Sequence, residues 1–188
     1  MCGLTGIAKF NKISNSDNEL VKQMTSKLVH RGPDSEGYFN DKFVSFAFNR
    51  LSIMDLKKGN QPIVRENIIS IFNGEIYNFK EIRAELIKFG YKFETNSDSE
   101  IIAPAFLHWG IKSIEKFNGM FAIAIYDKKN NKVFLIRDRV GIKPLYLSYI
   151  NGQLVFSSEI KGIINFPYFK KELNFNAFSS YLLFRYPH

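Results

Sequence analysis

The segment from Gly119 to Phe156, GMFAIAIYDKKNNKVFLIRDRVGIKPLYLSYINGQLVF, decides how the chain folds. Two apolar runs, Met120 to Tyr126 and Lys132 to Ile136, are joined by the polar Asp127 to Asn131. Two more, Leu145 to Ile150 and Gln153 to Phe156, flank Asn151-Gly152. Asn-Gly between such runs is the strongest short hairpin signal, because both residues tolerate the positive φ that a two-residue turn demands. The segment therefore reads as consecutive pairs of strands.

Outward from it, helices separate this block of strands from an earlier one. Strands are expected at Leu4 to Phe10, Phe43 to Phe48 and Ile68 to Phe72. Asn18 to Val29 reads as a helix with apolar positions Leu20, Val21, Met24 and Leu28. Asn78 is placed to cap another, with Glu81 at capping-box spacing and Gly90 closing it. A third should run from Ser97 or Asp98 to about Trp109, kinked or shortened by Pro104. Short helices are expected at Glu159 to Ile164 and Phe175 to Phe184. Two blocks of strands with helices between them make an α+β domain.

With 188 residues, 45% apolar and 15% aromatic, the chain is sized for one domain with a real core. Its net charge of +8 is spread over lysines standing singly or in pairs. That is a solvated surface without the basic stripe and interleaved aromatics of a nucleic-acid binder. No apolar run approaches the roughly 18 residues a bilayer span requires, and no charged leader precedes an apolar stretch, so a cytoplasmic protein is expected. The single cysteine excludes an internal disulfide and a multi-cysteine metal site. It is either a small structural residue or a reactive one.

A lone cysteine near a terminus is ordinarily just a small apolar residue, but its place in Met1-Cys2-Gly3 also allows chemistry. Loss of the initiator methionine would leave Cys2 with a free α-amine beside its thiol. An α-amine titrates at roughly 7.7 to 8.0, so one residue can supply both nucleophile and base. Asn73-Gly74-Glu75 follows the apolar run Ile68 to Phe72, at the expected end of that strand. A side-chain amide next to a glycine N–H is the donor pair an oxyanion hole requires, although a turn would use the same residues. Arg50 ends another apolar strand, and Asp98 stands at a helix start, where capping alone would explain it.

Seven segments then appear in order: Met1-Cys2-Gly3, HRGPDSEG (His30 to Gly37), NRLSI (Asn49 to Ile53), NGEIYN (Asn73 to Asn78), SDSE (Ser97 to Glu100), RDRVGIKPLY (Arg137 to Tyr146) and SSEIK (Ser157 to Lys161). Together they resemble the glutaminase domain, a class II glutamine amidotransferase, of glutamine-dependent asparagine synthetases. The resemblance covers essentially the whole chain. Arg31 to Asp34 and Arg137 to Tyr146 are closer to asparagine synthetase than to hexosamine-phosphate synthase or the purine-pathway amidotransferase.

The resemblance implies an N-terminal-nucleophile hydrolase fold, with two antiparallel sheets sandwiched between helical layers. It implies that Cys2 attacks the side-chain amide of glutamine, that Asn73 and Gly74 stabilise the oxyanion, and that a thioester is hydrolysed to glutamate with release of ammonia. Arg50 would clamp the α-carboxylate, a task suited to a planar guanidinium. Asp98 would take the α-ammonium with help from Glu75, and Leu51 and Ile53 would line the pocket. Arg31 to Asp34 is expected to support the site. Arg137, Asp138 and Arg139 are expected to pair among themselves and fix the turn after them. His30, His108 and His188 receive no catalytic role, and no residue is assigned to a metal.

Residues 1–173 would then form the glutaminase domain, and 174–188 the start of a junction to a synthetase domain. No glycine-rich phosphate loop occurs, so no cofactor is expected in this domain; ATP and Mg belong to the synthetase partner. The implied partners are glutamine and a synthetase domain or subunit that makes asparagine from aspartate, with homodimer formation left open. Neither nucleic acid nor membrane is expected as a partner. Competing readings are an amidotransferase serving another carboxylate or sugar acceptor, a silent scaffold of the same fold, a ring-forming synthetase domain that binds no glutamine, and a basic nucleic-acid-binding protein. The joint presence of Cys2, Arg50, Asn73, Gly74 and Asp98 weighs against the silent forms. A chain that retains Met1 has an amide at Cys2 and should hydrolyse little.

Overall fold

Asn151 and Gly152 take φ values of 47° and 77° in the computed structural model, which describes residues 1–56 and 58–186. They close the hairpin the sequence demands, between β8 (Tyr146–Ile150) and β9 (Gln153–Ser157). The other strands are β1 (Gly3–Lys9), β2 (Ser35–Asn40), β3 (Val44–Arg50), β4 (Ile63–Arg65), β5 (Ile68–Ile76), β6 (Gly119–Asp127) and β7 (Lys132–Arg137). They form two antiparallel sheets, ordered β2-β3-β1-β9-β8 and β4-β5-β6-β7.

Alternation along the strands builds the layers. Leu4, Val44, Phe46, Phe48 and Phe156 of the first sheet meet Ile69, Ile71, Ala122, Ala124 and Tyr126 of the second in one buried core. The opposite face of the five-stranded sheet sends Ile7, Ala47 and Val155 against Val21 and Met24 of α1 (Asn15–Ser26). The outer face of the four-stranded sheet sends Ile68, Phe72 and Ile123 against Ile82 and Leu86 of α2 (Phe79–Lys88) and Ile102 and Phe106 of α3 (Ile102–Trp109). The order is helix, sheet, sheet, helices, as expected for two sheets between helical layers. A side chain at Gly6 would put Cβ 2.4 Å from the ring of Phe156 and 2.9 Å from that of Phe46, its neighbours in the same sheet, so this glycine leaves room for the two rings to meet edge to face.

Several local expectations are corrected. The first helix starts three residues early, because Ser14 and Asp17 form a capping box with aspartate in place of glutamate. Asn78 precedes α2 without capping it. Its amide instead bridges Lys116 O and Asn118 N–H, tying the helix start to the strand entry opposite. Pro104 goes with a shortened helix: it lies in the first turn of α3, where no N–H partner is needed, behind a 3₁₀ turn at Asp98–Ile101. Two short edge strands, β2 and β4, were unforeseen.

Arg137, Asp138 and Arg139 do not pair with one another. Asp138 accepts the backbone N–H groups of Phe121, Ile142 and Lys143, Arg137 donates to the carbonyls of Gly141 and Lys143, and Arg139 donates to those of Glu115 and Phe117. The turn is fixed by charge-to-backbone bonds. α4 (Phe175–Phe184) has the expected bounds and buries none of its residues, leaving Phe175, Leu182, Leu183 and Phe184 mostly exposed. His188 lies outside the described residues.

Candidate active site

β5 holds the main correction and the main result. It does not end at Phe72 but runs through Asn73, Gly74 and Glu75 to Ile76, paired with β6 in the register Asn73↔Ala122, Gly74↔Phe121 and Glu75↔Met120. Asn73 therefore shares the face of Ile69 and Ile71 and is buried between the sheets, 1% exposed. Its Nδ2 has no hydrogen-bond partner. A buried, unpaired amide donor costs about 1–3 kcal/mol and is rare in folded proteins.

The hydrogen-bonding edge of β5 explains Gly74. Phe121 turns both its backbone groups toward Asp138, just past β7: its O accepts Asp138 N–H and its N–H donates to the side-chain Asp138 Oδ2. Antiparallel ladders alternate, so the opposing Gly74 turns its N–H away from β6. On that outer edge the neighbours are covered by side chains. Phe72 N–H is bonded by Gln61 Oε1 at 2.6 Å and Phe72 O by Gln61 Nε2 at 3.1 Å, so the Gln61 amide substitutes for a strand. Ile76 N–H is bonded by Asp98 Oδ2 at 2.9 Å. Gly74 N–H, between them, faces a cavity. Any larger residue at 74 would place Cβ 2.0 Å from Met120 O.

Cys2, Arg50, Leu51, Ile53, Gly74, Glu75 and Asp98 all line that cavity, joined by Gln61 and Ser97. The anticipated set thus comes together from four separate stretches of chain, except Asn73, which precedes Gly74 in β5 but does not itself line the cavity. Cys2 Sγ contacts Leu51, accepting its N–H at 3.4 Å and lying 3.6 Å from its carbonyl. Burial pushes the thiol pKa up, opposed by the Leu51 bond and by the charges of the chain terminus, Arg50 and Arg31. Arg31 donates to Cys2 O at 2.9 Å and pairs with Glu159 at 2.9 Å. Asp34 accepts Ser52 N–H at 2.7 Å. The Arg31 to Asp34 loop therefore fixes both the Cys2 backbone and the chain beyond Arg50.

Arg50 continues the inward set Val44, Phe46, Phe48 and is 5% exposed. Its hydrogen bonds go to neutral oxygens: Met54 O, Asp55 O, Leu56 O and Asn60 Oδ1, at 2.6 to 3.3 Å. Gly59 packs on the guanidinium so closely that a Cβ there would lie 2.6 Å from Nη2. A carboxylate entering the cavity would exchange with these neutral acceptors.

Opposite in charge is the Asp98 and Glu75 pair. Burial raises the Asp98 pKa to about 6, against the bonds from Ile76 and Ser99, and Glu75's charge adds to the rise. Ser97, not Asp98, caps the 3₁₀ turn. None of the ion pairs among the described residues includes Asp98. Gln61 is the functional neighbour that sequence reasoning missed, since its contact with Phe72 is not local.

Four layers, with Cys2 leading into the central strand of the first sheet, match the fold of the N-terminal-nucleophile hydrolases. Solved structures agree on the fold. Glutamine phosphoribosylpyrophosphate amidotransferase from B. subtilis, complexed with ADP and GMP, superposes with a TM-score of 0.70 at 20% identity, over 86% of this chain and 42% of that one. A structure of the allosteric regulatory enzyme of purine biosynthesis gives 0.71 over the same shares, also at 20% identity.

The chain belongs to the glutamine amidotransferase domain family, whose model matches residues 1–188. Among curated proteins it is 44% identical, over 87% of its length, to glutamine-hydrolysing asparagine synthetase 1 of Bacillus subtilis, and 43% identical, over 93%, to synthetase 2 of that organism. A putative glutamine-hydrolysing asparagine synthetase 2 of Methanocaldococcus jannaschii is 36% identical over 94% of the chain. The chain spans only 27%, 24% and 37% of these relatives.

Proposed function

We propose that this domain hydrolyses glutamine to glutamate and ammonia through a thioester on Cys2. With Met1 removed, the α-amine of Cys2 takes the thiol proton and Sγ attacks the amide carbon. Asn73 Nδ2 and Gly74 N–H receive the developing oxyanion, and the amine returns the proton to the departing ammonia. Water then enters by the reverse sequence and frees glutamate. Arg50 meets the substrate carboxylate, while Asp98 and Glu75 meet the ammonium; Leu51 and Ile53 flank the side chain between them. Holding both charged ends positions one amide at the thiol.

The observation that carries this reading is the buried, unpartnered Asn73 Nδ2 next to Gly74, which lines one cavity with the only cysteine. Fixed donors aimed where charge develops contribute more to such catalysis than any other single effect. The ammonia is passed to an ATP- and Mg-dependent synthetase domain that makes asparagine from aspartate, a reading supported by the names of the relatives and by their greater length. Residues 174–188 begin the junction to it, in keeping with an α4 that buries nothing of its own. The test is to incubate processed protein with glutamine and measure glutamate and ammonia. They should appear one to one and disappear in Cys2→Ala. Equal rates from both proteins would refute the reading.

A further inference from the structure

Two cations converge on Met1. Its Sδ lies 3.6 Å from Lys143 Nζ and 4.0 Å from Arg31 Nη2. Arg31 is neutralised by Glu159, but none of the ion pairs among the described residues includes Lys143, which is 8% exposed. An ammonium taken out of water without an anion is unfavourable, and a thioether offers it almost nothing. The backbone that carries it is nevertheless fixed. Lys143 N–H donates to Asp138 at 2.9 Å, its carbonyl accepts Arg137 Nε at 2.7 Å, and Ile142 N–H donates to Asp138 at 2.7 Å. This braced turn holds the ammonium over the first residue.

Removal of Met1 leaves the Cys2 nitrogen as the new terminus, one methionine side chain away from the sulfur that Lys143 now touches. A neighbouring positive charge disfavours protonation of an amine. We propose that Lys143 is a positioning residue whose ammonium holds the α-amine of processed Cys2 in its neutral, proton-accepting form near neutral pH. The inference rests on the proposed reaction, in which that amine is the base.

The other charges around the terminus do not duplicate this role. Arg50 and Arg31 carry the same sign, but Glu159 offsets Arg31. That carboxylate is also engaged by His30 and Lys161, and these partners, Arg31 foremost, hold its pKa at about 2 in spite of burial. Asp138 is committed to backbone N–H groups. Glu75 and Asp98 line the same cavity as Cys2 and act in the opposite sense, favouring a protonated amine. Lys143 is the cation that counters them from the β7–β8 turn.

Cys2 is the only cysteine, so protein grown with isotope-labelled cysteine nitrogen gives one resonance to follow against pH. Chain with a free Cys2 amine is verified by mass, and is released from an N-terminal fusion by a protease cutting before Cys2 if the cell leaves Met1 in place. The parent amine should titrate below the ordinary range of roughly 7.7 to 8.0. Lys143→Met should raise the midpoint by about one pH unit, the order of effect of one nearby unit charge at an effective dielectric near 20. Lys143→Arg should restore it, and Lys143→Gln gives the same comparison as methionine if that variant folds poorly. An unchanged midpoint in a neutral variant that melts like the parent overturns the proposal. The titration needs no glutamine, so a Lys143-dependent midpoint in a chain that hydrolyses none would uphold this inference while removing the functional reading.

Discussion

Replacing Asn73 with alanine separates two quantities that usually fall together. The Asn73 side chain is buried at 1% exposure, and truncation at such a site ordinarily destabilises. Here the deleted Nδ2 has no partner, so no other group is orphaned, and its desolvation cost disappears with it. The lost packing of one short side chain works the other way at a similar size. The net change in stability should be within about 1 kcal/mol, or about 2–4 °C in melting temperature for a domain of this length. Catalysis should suffer far more. Loss of one oxyanion donor costs about 2.7–4 kcal/mol, a hundred- to thousand-fold in kcat. Because the donor acts on charge present only in the transition state, KM for glutamine should hardly move. Steady-state release of glutamate, paired with a thermal melt of the same preparation, reads both. A variant that melts well below the parent yet retains kcat within a few-fold would mean that Asn73 is structural, and the reasoning fails.

Three other perturbations follow from the same geometry. The folded Asp98 carboxyl, at about 6, holds its proton more tightly than the unfolded one, so the free protein should lose stability as pH rises from about 4 toward 6, by at most about 3 kcal/mol. Asp98→Asn should flatten that slope in pH-dependent melts, and it should raise KM for glutamine; in the parent, KM should climb as pH falls below 6, where protonated Asp98 cannot meet the substrate ammonium. Gln61→Ala orphans Phe72 N–H and C=O together, which should cost about 2–4 kcal/mol in chemical denaturation and lower kcat by loosening the strand that carries Gly74. Gly74→Ala, with Cβ 2.0 Å from Met120 O, should give little soluble folded protein, seen as lost near-UV circular dichroism in whatever is recovered.

Much of this was legible locally. The Asn151-Gly152 hairpin and the runs of β6 and β7 are written in turn chemistry and alternation, which need no distant partner. The edge strands were not, since β2 (SEGYFN) and β4 (IVR) have too little apolar alternation to stand out, and only their neighbours make them strands. Asn73, Gly74 and Glu75 were identified from their chemistry and misplaced in their structure. Three turn-prone residues after an apolar run look like its end, whereas β6 continues the pairing to Gly119 from across the sheet. The role of Gln61 as a substitute strand and the aim of Lys143 at the terminus depend on contacts far apart in sequence, and no period or motif encodes them. The apolar C-terminal helix was readable as a helix, but that none of its residues is fully buried was not.

The central claim is that Cys2 is a nucleophile aimed at glutamine. Intact mass of the processed protein before and after a diazoketone analogue of glutamine tests it directly. The account predicts loss of Met1, then a single adduct that excess glutamine slows and that Cys2→Ala does not form. A processed, folded chain that takes no adduct, or takes it equally in Cys2→Ala, would contradict it.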